Sequence, residues 1–310
     1  MTSTPQDEFD TPWKDILEGY FIDFLAFFLP EAHADIDWER GFEFLDTELA
    51  RITRASEVGD RRMDKLVKVW RRGDGQEFWV LIHIEVQGNR KPNFASGMYV
   101  YQYRAYDLHQ KPVVGLAILA DEETGWRPTE FSYDLWGTQQ IYRFTTIKLL
   151  DYAEADLENS SNPFAIVTLA HLHAKKTRHQ PEKRYQVKWL LIRSLYRGGF
   201  SRQQVIDLFK FIDWVLHLPD NLAEQLRTEI VAFEENQKMP YISSVERIGE
   251  KRGEKKGVAK TLTRMLQRRF GDLPAWANEK IAKAELSSLE EWSVHFVEAQ
   301  SLEAIFVDKA

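Results

Sequence analysis

The sequence predicts an α/β protein: a mixed sheet flanked by helices, built in the order α-β-β-α-β and followed by helical C-terminal regions. Three observations predict it. Residues 61 to 87 hold two runs rich in β-branched and aromatic residues, MDKLVKVW and EFWVLIHIEVQ, on either side of Gly73, Asp74 and Gly75, which is the pattern of a β-hairpin. Trp13, Ile16, Leu17, Tyr20, Phe21, Phe24, Leu25 and Phe28 recur at intervals of three and four, the spacing of an amphipathic helix. Val113 to Ala120, VVGLAILA, is apolar without a break, as a strand covered on both faces would be.

Composition bounds what such a fold can do. With 310 residues, 44% of them apolar, the chain can bury a sizeable core in two domains or in one domain with appendages. It has no cysteine, so disulfides, thiolate zinc sites and cysteine nucleophiles are excluded. Residues 1 to 30 lack a basic start followed by an apolar run, and apolar stretches elsewhere are far shorter than the roughly 20 residues a membrane span needs. The expectation is a soluble cytoplasmic protein with no membrane partner. The net charge of −7 is unevenly spread: residues 1 to 60 hold 15 acidic and 4 basic side chains, and residues 61 to 111 hold 10 basic and 5 acidic. A locally basic surface around the hairpin suits a phosphate-backbone partner, although scattered solubilising charges read the same way.

In chain order, residues 1 to 10 are polar. A helix enters through Thr11-Pro12, runs from Trp13 to Leu29 and stops at Pro30. Residues 31 to 60 are acidic and irregular, with a short helix or strand near Phe42 to Ile52. In the hairpin, Asp74-Gly75 makes a two-residue turn, because both central positions need positive φ. Strand partners then sum to 149, which sets Asp64 opposite Glu85, with Gln87 and His83 on the same face as Glu85. Two facing carboxylates stand about 5 Å apart at Cβ and repel, so they call for a cation. The other face pairs Val67 with Ile82 and Val69 with Val80, an apolar surface fit for a core. Oxygen ligands of this kind suit a hard ion such as Mg²⁺.

After the hairpin, Asn93 to His109 has helical spacing, with Asn93 as a cap. Phe131 to Leu150 reads as further strands extending the sheet. Helices follow at Pro163 to Lys175, Tyr185 to Tyr196, Ser201 to Leu216 and Asn221 to Glu235, with Ser201 and Gln204 forming a capping box. His171 and His173 are two apart on a helix, point to different sides, and are discounted as metal ligands. Met239 to Gly257 reads as a charged linker before a helix from Val258 to Phe270 that Gly271 and Pro274 end. Nine basic and two acidic residues from Arg247 to Phe270 fit a DNA-binding strip, Lys255 and Lys256 included, or equally an exposed solvated helix. The domain expectation is 1 to 155 for the sheet core, 156 to 240 for a helical region, 241 to 257 for the linker and 258 to 310 for a small helical domain.

Asp64, the hairpin and Glu85-Val86-Gln87 together resemble the D…(D/E)-x-K motif of the PD-(D/E)XK nucleases, in the E-x-Q form of the recombination-promoting nuclease and transposase family. DTPWKDIL, FIDFLAFFLP, NPFAIVTLAHLHAKKT and the tail from Thr261 resemble other parts of that family, so the likeness covers most of the chain. It implies a restriction-endonuclease-like core and a DNA endonuclease that promotes recombination or transposition. Asp64, Glu85 and Gln87 would be catalytic, and Asp64, Glu85 and the Val86 backbone oxygen would hold Mg²⁺ or Mn²⁺, with no small-molecule cofactor. It further nominates Glu18 as an accessory metal contact, Gln102 with Tyr106 as a brace on the catalytic strand or nucleotide, and Arg104 as a phosphate contact. Each also has a plainer reading: a solvated glutamate, core packing and a solvated arginine. His83 reads as a proton-transfer candidate or as a packed strand histidine opposite Leu66. A homodimer is expected, since nucleases that break both strands often pair their sites. Two rivals stand beside this reading. One is a DNA-binding or assembly protein with the fold but little or no activity. The other is a structural hairpin whose Asp64 and Glu85 are solvated edge charges paired with Arg62 or Lys65.

Overall fold

A computed structural model describes residues 10–45, 65–72 and 79–306. Its first helical segment is two helices, α1 (Asp10–Gly19) and α2 (Phe21–Phe28), rather than the one expected from Trp13 to Leu29. The break falls at Tyr20, whose φ of −136° and ψ of 39° leave the helical region. Its hydroxyl donates to Asp207 Oδ2 at 3.0 Å. The apolar phase survives the break, since Trp13, Ile16, Leu17, Phe21, Phe24, Leu25 and Phe28 are all buried. Pro30 does end α2, and it also starts a short helix, α3 (Pro30–Asp35), because proline suits the first turn.

The sheet has five strands, β1 (Phe42–Phe44), β2 (Lys65–Trp70), β3 (Trp79–Gln87), β4 (Val113–Leu119) and β7 (Thr145–Lys148), in the order β1-β2-β3-β4-β7. The first three are antiparallel, while β3, β4 and β7 run parallel. Helix α4 (Phe94–His109) makes the crossover from β3 to β4, as parallel pairing requires. Asn93 occupies its N-cap without a side-chain bond, and its backbone oxygen accepts from Ser96 Oγ and the Gly97 N–H instead. Residues 131 to 150 do not simply extend this sheet. β5 (Glu130–Leu135) and β6 (Thr138–Arg143) pair as a separate hairpin, and only β7 joins the main sheet. Strand periodicity specifies alternation along one strand, not which edge it finds.

One face of the sheet, carrying Val67, Val69, Val80 and Ile82, lies under α2: Phe21 meets the rings of Phe42 and Phe44, whose residues pair with Val69 and Val67. Behind it runs α6 (Pro163–Lys176), after the short α5 (Glu154–Glu158). Eleven of its fourteen residues are buried, so it is a core helix rather than part of a separate helical region. Phe164 packs on Trp13, Phe24 and Phe28. Helices α7 (Pro181–Arg197) and α8 (Arg202–Val215) complete the layer, and Ser201 and Gln204 make the expected capping box.

The chain divides into two units, Met1–Thr228 and Glu229–Ala310, and the helices from α5 to α8 fall in the same unit as the sheet. Helix α9 (Asp220–Gln237) spans the division. The second unit is built from α10 (Ile242–Phe270), α11 (Ala275–Lys283), α12 (Leu286–Glu298) and α13 (Leu302–Ile305) around Leu262, Leu266, Leu289, Trp292 and Phe306. The stretch from 241 to 257, expected as a linker, is helix from Ile242 onward. Each interior glycine costs a helix about 1 kcal/mol relative to alanine. Glutamate, lysine and arginine between them are good helix formers, no proline intervenes, and Ile242 and Leu262 anchor the helix on both sides of the charged run. Glu234, itself buried, accepts the N–H groups of Tyr241, Ile242 and Ser243 and so satisfies the start of α10.

Candidate functional site

The site is assembled on β2 and β3. Their register runs Lys65↔Ile84, Leu66↔His83, Val67↔Ile82, Lys68↔Leu81 and Val69↔Val80, the pairing that the Asp74-Gly75 turn predicts. Asp64 and the turn itself lie outside the described residues. Parallel pairing sets Glu85 beside Ala117 and Gln87 beside Leu119. Helix α4 covers this face: Phe94 and Met98 pack with Ala117 and Leu119, while Tyr101 and Ala105 pack with Leu66 and Leu81. The acidic face is therefore roofed rather than open, and Glu85, Gln87 and His83 are 4%, 1% and 1% exposed.

Glu85 is a buried carboxylate with no hydrogen bond or ion pair to any other described residue. Gln87, two positions along, donates Nε2–H to the Asn89 carbonyl at 2.7 Å. Its Oε1 is buried without a donor among the described residues. Two oxygen acceptors thus share one water-poor face. An unpaired buried carboxylate is costly, and an orphaned buried acceptor adds about 1–3 kcal/mol, so a cation or an ordered water is the physical complement of this pair. His83 lies opposite Leu66 with its ring 4.9 Å from that of Tyr101, the packed strand histidine of the plainer reading.

Glu18 is drawn elsewhere. It pairs with Lys65, which is 1% exposed and whose nitrogen also lies 5.1 Å from the Phe44 ring. Lys65 stands opposite Ile84, on the sheet face that Glu85 does not share. The same pair removes Lys65 as a partner for Glu85, and Glu85 is not a solvated edge charge. On α4 the buried stripe is Phe94, Gly97, Met98, Tyr101 and Ala105. Gln102 is half-buried beside it, and Tyr106 is 47% exposed off it, so Tyr106 is turned away from β3. Arg104 is half-buried. Val86 pairs with Ile118 and turns its side chain to the opposite face from Glu85. Lys255 pairs with Glu285 at 3.4 Å, and Lys256 is exposed; both belong to the second unit.

Three groups near the ends of β3 and β4 carry no sequence motif. Lys175 Nζ donates to the Gly88 carbonyl at 3.2 Å, just past Gln87. Burial holds its ammonium below the usual lysine range, against which Glu122 and Asp121 act in part. Lys148 Nζ lies 2.7 Å from both oxygens of Asp121 and donates also to the Glu123 carbonyl at 2.8 Å. These two side chains are 0% and 3% exposed, and they clamp the loop after β4. His171 accepts the Trp13 indole N–H at Nδ1, 3.4 Å away, and its Nε2 lies 2.9 Å from the Ala120 carbonyl. Burial pushes its pKa down to about 4, so it is a neutral packing residue. Among the described residues, no group of three or more His, Asp or Glu side chains is placed to hold a metal. Compared with family models, curated proteins and solved structures, the chain matches none.

Proposed function

We propose that this chain is a divalent-metal-dependent DNA endonuclease with a restriction-endonuclease-like core, its site formed by Asp64, Glu85 and Gln87. The observation that carries the reading is the buried Glu85 carboxylate with no described counter-charge, on one face with the donorless Oε1 of Gln87. This donor set fits a hard cation. In the proposal Asp64, one residue before Lys65 in a register that holds along β2, supplies the second carboxylate, and the Val86 carbonyl a further oxygen. A bound Mg²⁺ or Mn²⁺ supplies a lowered water pKa and charge stabilisation at the scissile phosphate.

The chain's own residues do the rest. Glu85 orients the attacking water through its free oxygen lone pairs, and Gln87 Oε1 accepts a proton of that water in a hydrogen bond, with Nε2 held by Asn89. Gln87 brings no positive charge where a lysine is more usual. Lys175 Nζ is held at the Gly88 carbonyl, one residue past Gln87, and we assign it the electrostatic support of the phosphate. Supercoiled DNA incubated with Mg²⁺ tests the reading. Nicking by the wild type that Asp64→Ala and Glu85→Ala abolish is the expected result, and equal nicking by all three sinks it.

The neutral amide at position 87 favours one second reading, a nuclease-fold DNA-binding or assembly protein without turnover. Calorimetry separates the two: the endonuclease binds Mg²⁺ in a manner that Glu85→Gln removes, while the inactive protein shows no Glu85-dependent binding.

A further inference from the structure

The β5–β6 hairpin is anchored at its root and bare at its tip. Its ladder pairs Phe131 with Tyr142, Tyr133 with Gln140 and Leu135 with Thr138, so Phe131, Tyr133 and Leu135 share one face. At the root, Phe131 stacks on Tyr99 of α4 with centroids 4.9 Å apart and planes 18° apart. Tyr99 in turn stacks on Tyr103 at 6.4 Å and 23°. Two rows of rings therefore meet at Tyr99, one running along α4 and one along the hairpin. Beyond that root the rows are open, with Tyr103, Tyr133 and Leu135 being 52%, 47% and 55% exposed.

The tip itself is Trp136-Gly137, with φ of +52° and +81°. Both central residues in the left-handed region make this a type I′ turn, the natural home of Asn-Gly. A bulky residue with positive φ is an outlier that the backbone disfavours. Trp136 gains nothing from packing in return, since it is 96% exposed. Neither turn chemistry nor burial accounts for a tryptophan here.

We infer that this aromatic surface is a stacking platform for unpaired bases of single-stranded DNA, with Trp136 as its outermost ring. Charge decides the orientation. Around α4 stand Lys91, Arg104 and Lys111 against Asp107, Arg90 being paired with Glu123 at 3.1 Å, whereas the hairpin carries Glu130 and Asp134 against Arg143. The phosphates lie toward the ends of α4, which Lys91 and Lys111 flank, and the bases turn toward the hairpin, where no compensating cation is needed. Beside the rings stand Thr138 and Gln140, the partners of Leu135 and Tyr133, whose hydroxyl and amide groups complement the polar edges of bases rather than an acyl chain. Stacking on rings is tolerant of sequence, because every base has a π face. The inference deepens the nuclease reading by naming the state of its DNA, and it rests on that reading for the choice of nucleic acid.

The test uses the full chain, EDTA to prevent cutting, and a fluorescein-labelled oligothymidylate of about 12 nucleotides, within the usual span of such sites. Anisotropy is expected to show binding that Trp136→Asn weakens about tenfold or more and that Trp136→Phe largely restores. Asparagine suits the turn, so the melting temperature of Trp136→Asn is not lowered, and lost binding is not lost fold. Absence of wild-type binding, or equal binding by Trp136→Asn, overturns the platform. So does a wild-type dimer that Trp136→Asn dissociates, or Trp136-dependent uptake onto phosphatidylcholine vesicles, where oligonucleotide binding is unchanged. Glu85-dependent nicking with binding indifferent to Trp136 removes the platform and leaves the nuclease; the converse result removes the nuclease and leaves the platform.

Discussion

Replacing Lys148 by Met isolates the buried pair that organises the chain beyond β4. The substitution keeps most of the side-chain volume but leaves the Asp121 carboxylate, 3% exposed, with the Glu123 N–H as its remaining described donor, at 2.9 Å. It also deprives the Glu123 carbonyl of its ammonium donor. Breaking a buried pair by removing one partner costs about 3–5 kcal/mol, because the surviving charge is uncompensated. A unit of this size loses about 2–4 °C of melting temperature per kcal/mol, so Lys148→Met should lower the midpoint by about 10 °C. Urea unfolding followed by circular dichroism measures the free energy directly. Adding Asp121→Leu to Lys148→Met should recover part of the loss, since replacing both ions by apolar groups is often close to neutral. A loss below about 1 kcal/mol for Lys148→Met alone, within the range of an exposed ion pair, would refute the claim that the pair is dry and structural.

Further outcomes follow from other buried groups. His171 is held near pKa 4, below the roughly 6.5 of the unfolded chain, so the unfolded state takes up the proton first and stability falls with pH across that interval. Its contribution is complete above about pH 6.5, and about 2–3 kcal/mol of it is gone by pH 4.5. Urea titrations at neutral pH and near pH 4.5 should show His171→Gln losing less than the wild type over that range. A β-carbon added at Gly115 would stand 2.2 Å from the Tyr142 hydroxyl oxygen and 3.1 Å from Phe144 Cβ, so Gly115→Ala should cost about 1–3 kcal/mol by overpacking. The Tyr142 hydroxyl is buried without a partner among the described residues, and burial pushes its pKa up to about 12. Tyr142→Phe should therefore be neutral or stabilising by itself and should rescue part of the Gly115→Ala loss, as a double-mutant cycle in urea would measure.

The amino-acid sequence by itself determined what neighbours along the chain can decide. Asp-Gly at a turn and strict alternation were enough to set the β2–β3 register, and with it the common face of His83, Glu85 and Gln87. Three-and-four spacing was enough to choose the buried side of the first helices, and an unbroken apolar run was enough for β4. Tertiary structure alone decided everything that depends on distant partners: the break at Tyr20 beside Asp207, the capture of Glu18 by Lys65, the clamp of Lys148 on Asp121, the anchoring of Lys175 at Gly88, and the departure of β5 and β6 from the sheet. It also roofed Glu85 with α4, which turns a polar position into a buried carboxylate. Periodicity reports only which side of an element is apolar; what lies against that side is chosen by long-range packing, where burial makes a charge expensive and a matching partner, however remote in sequence, decisive.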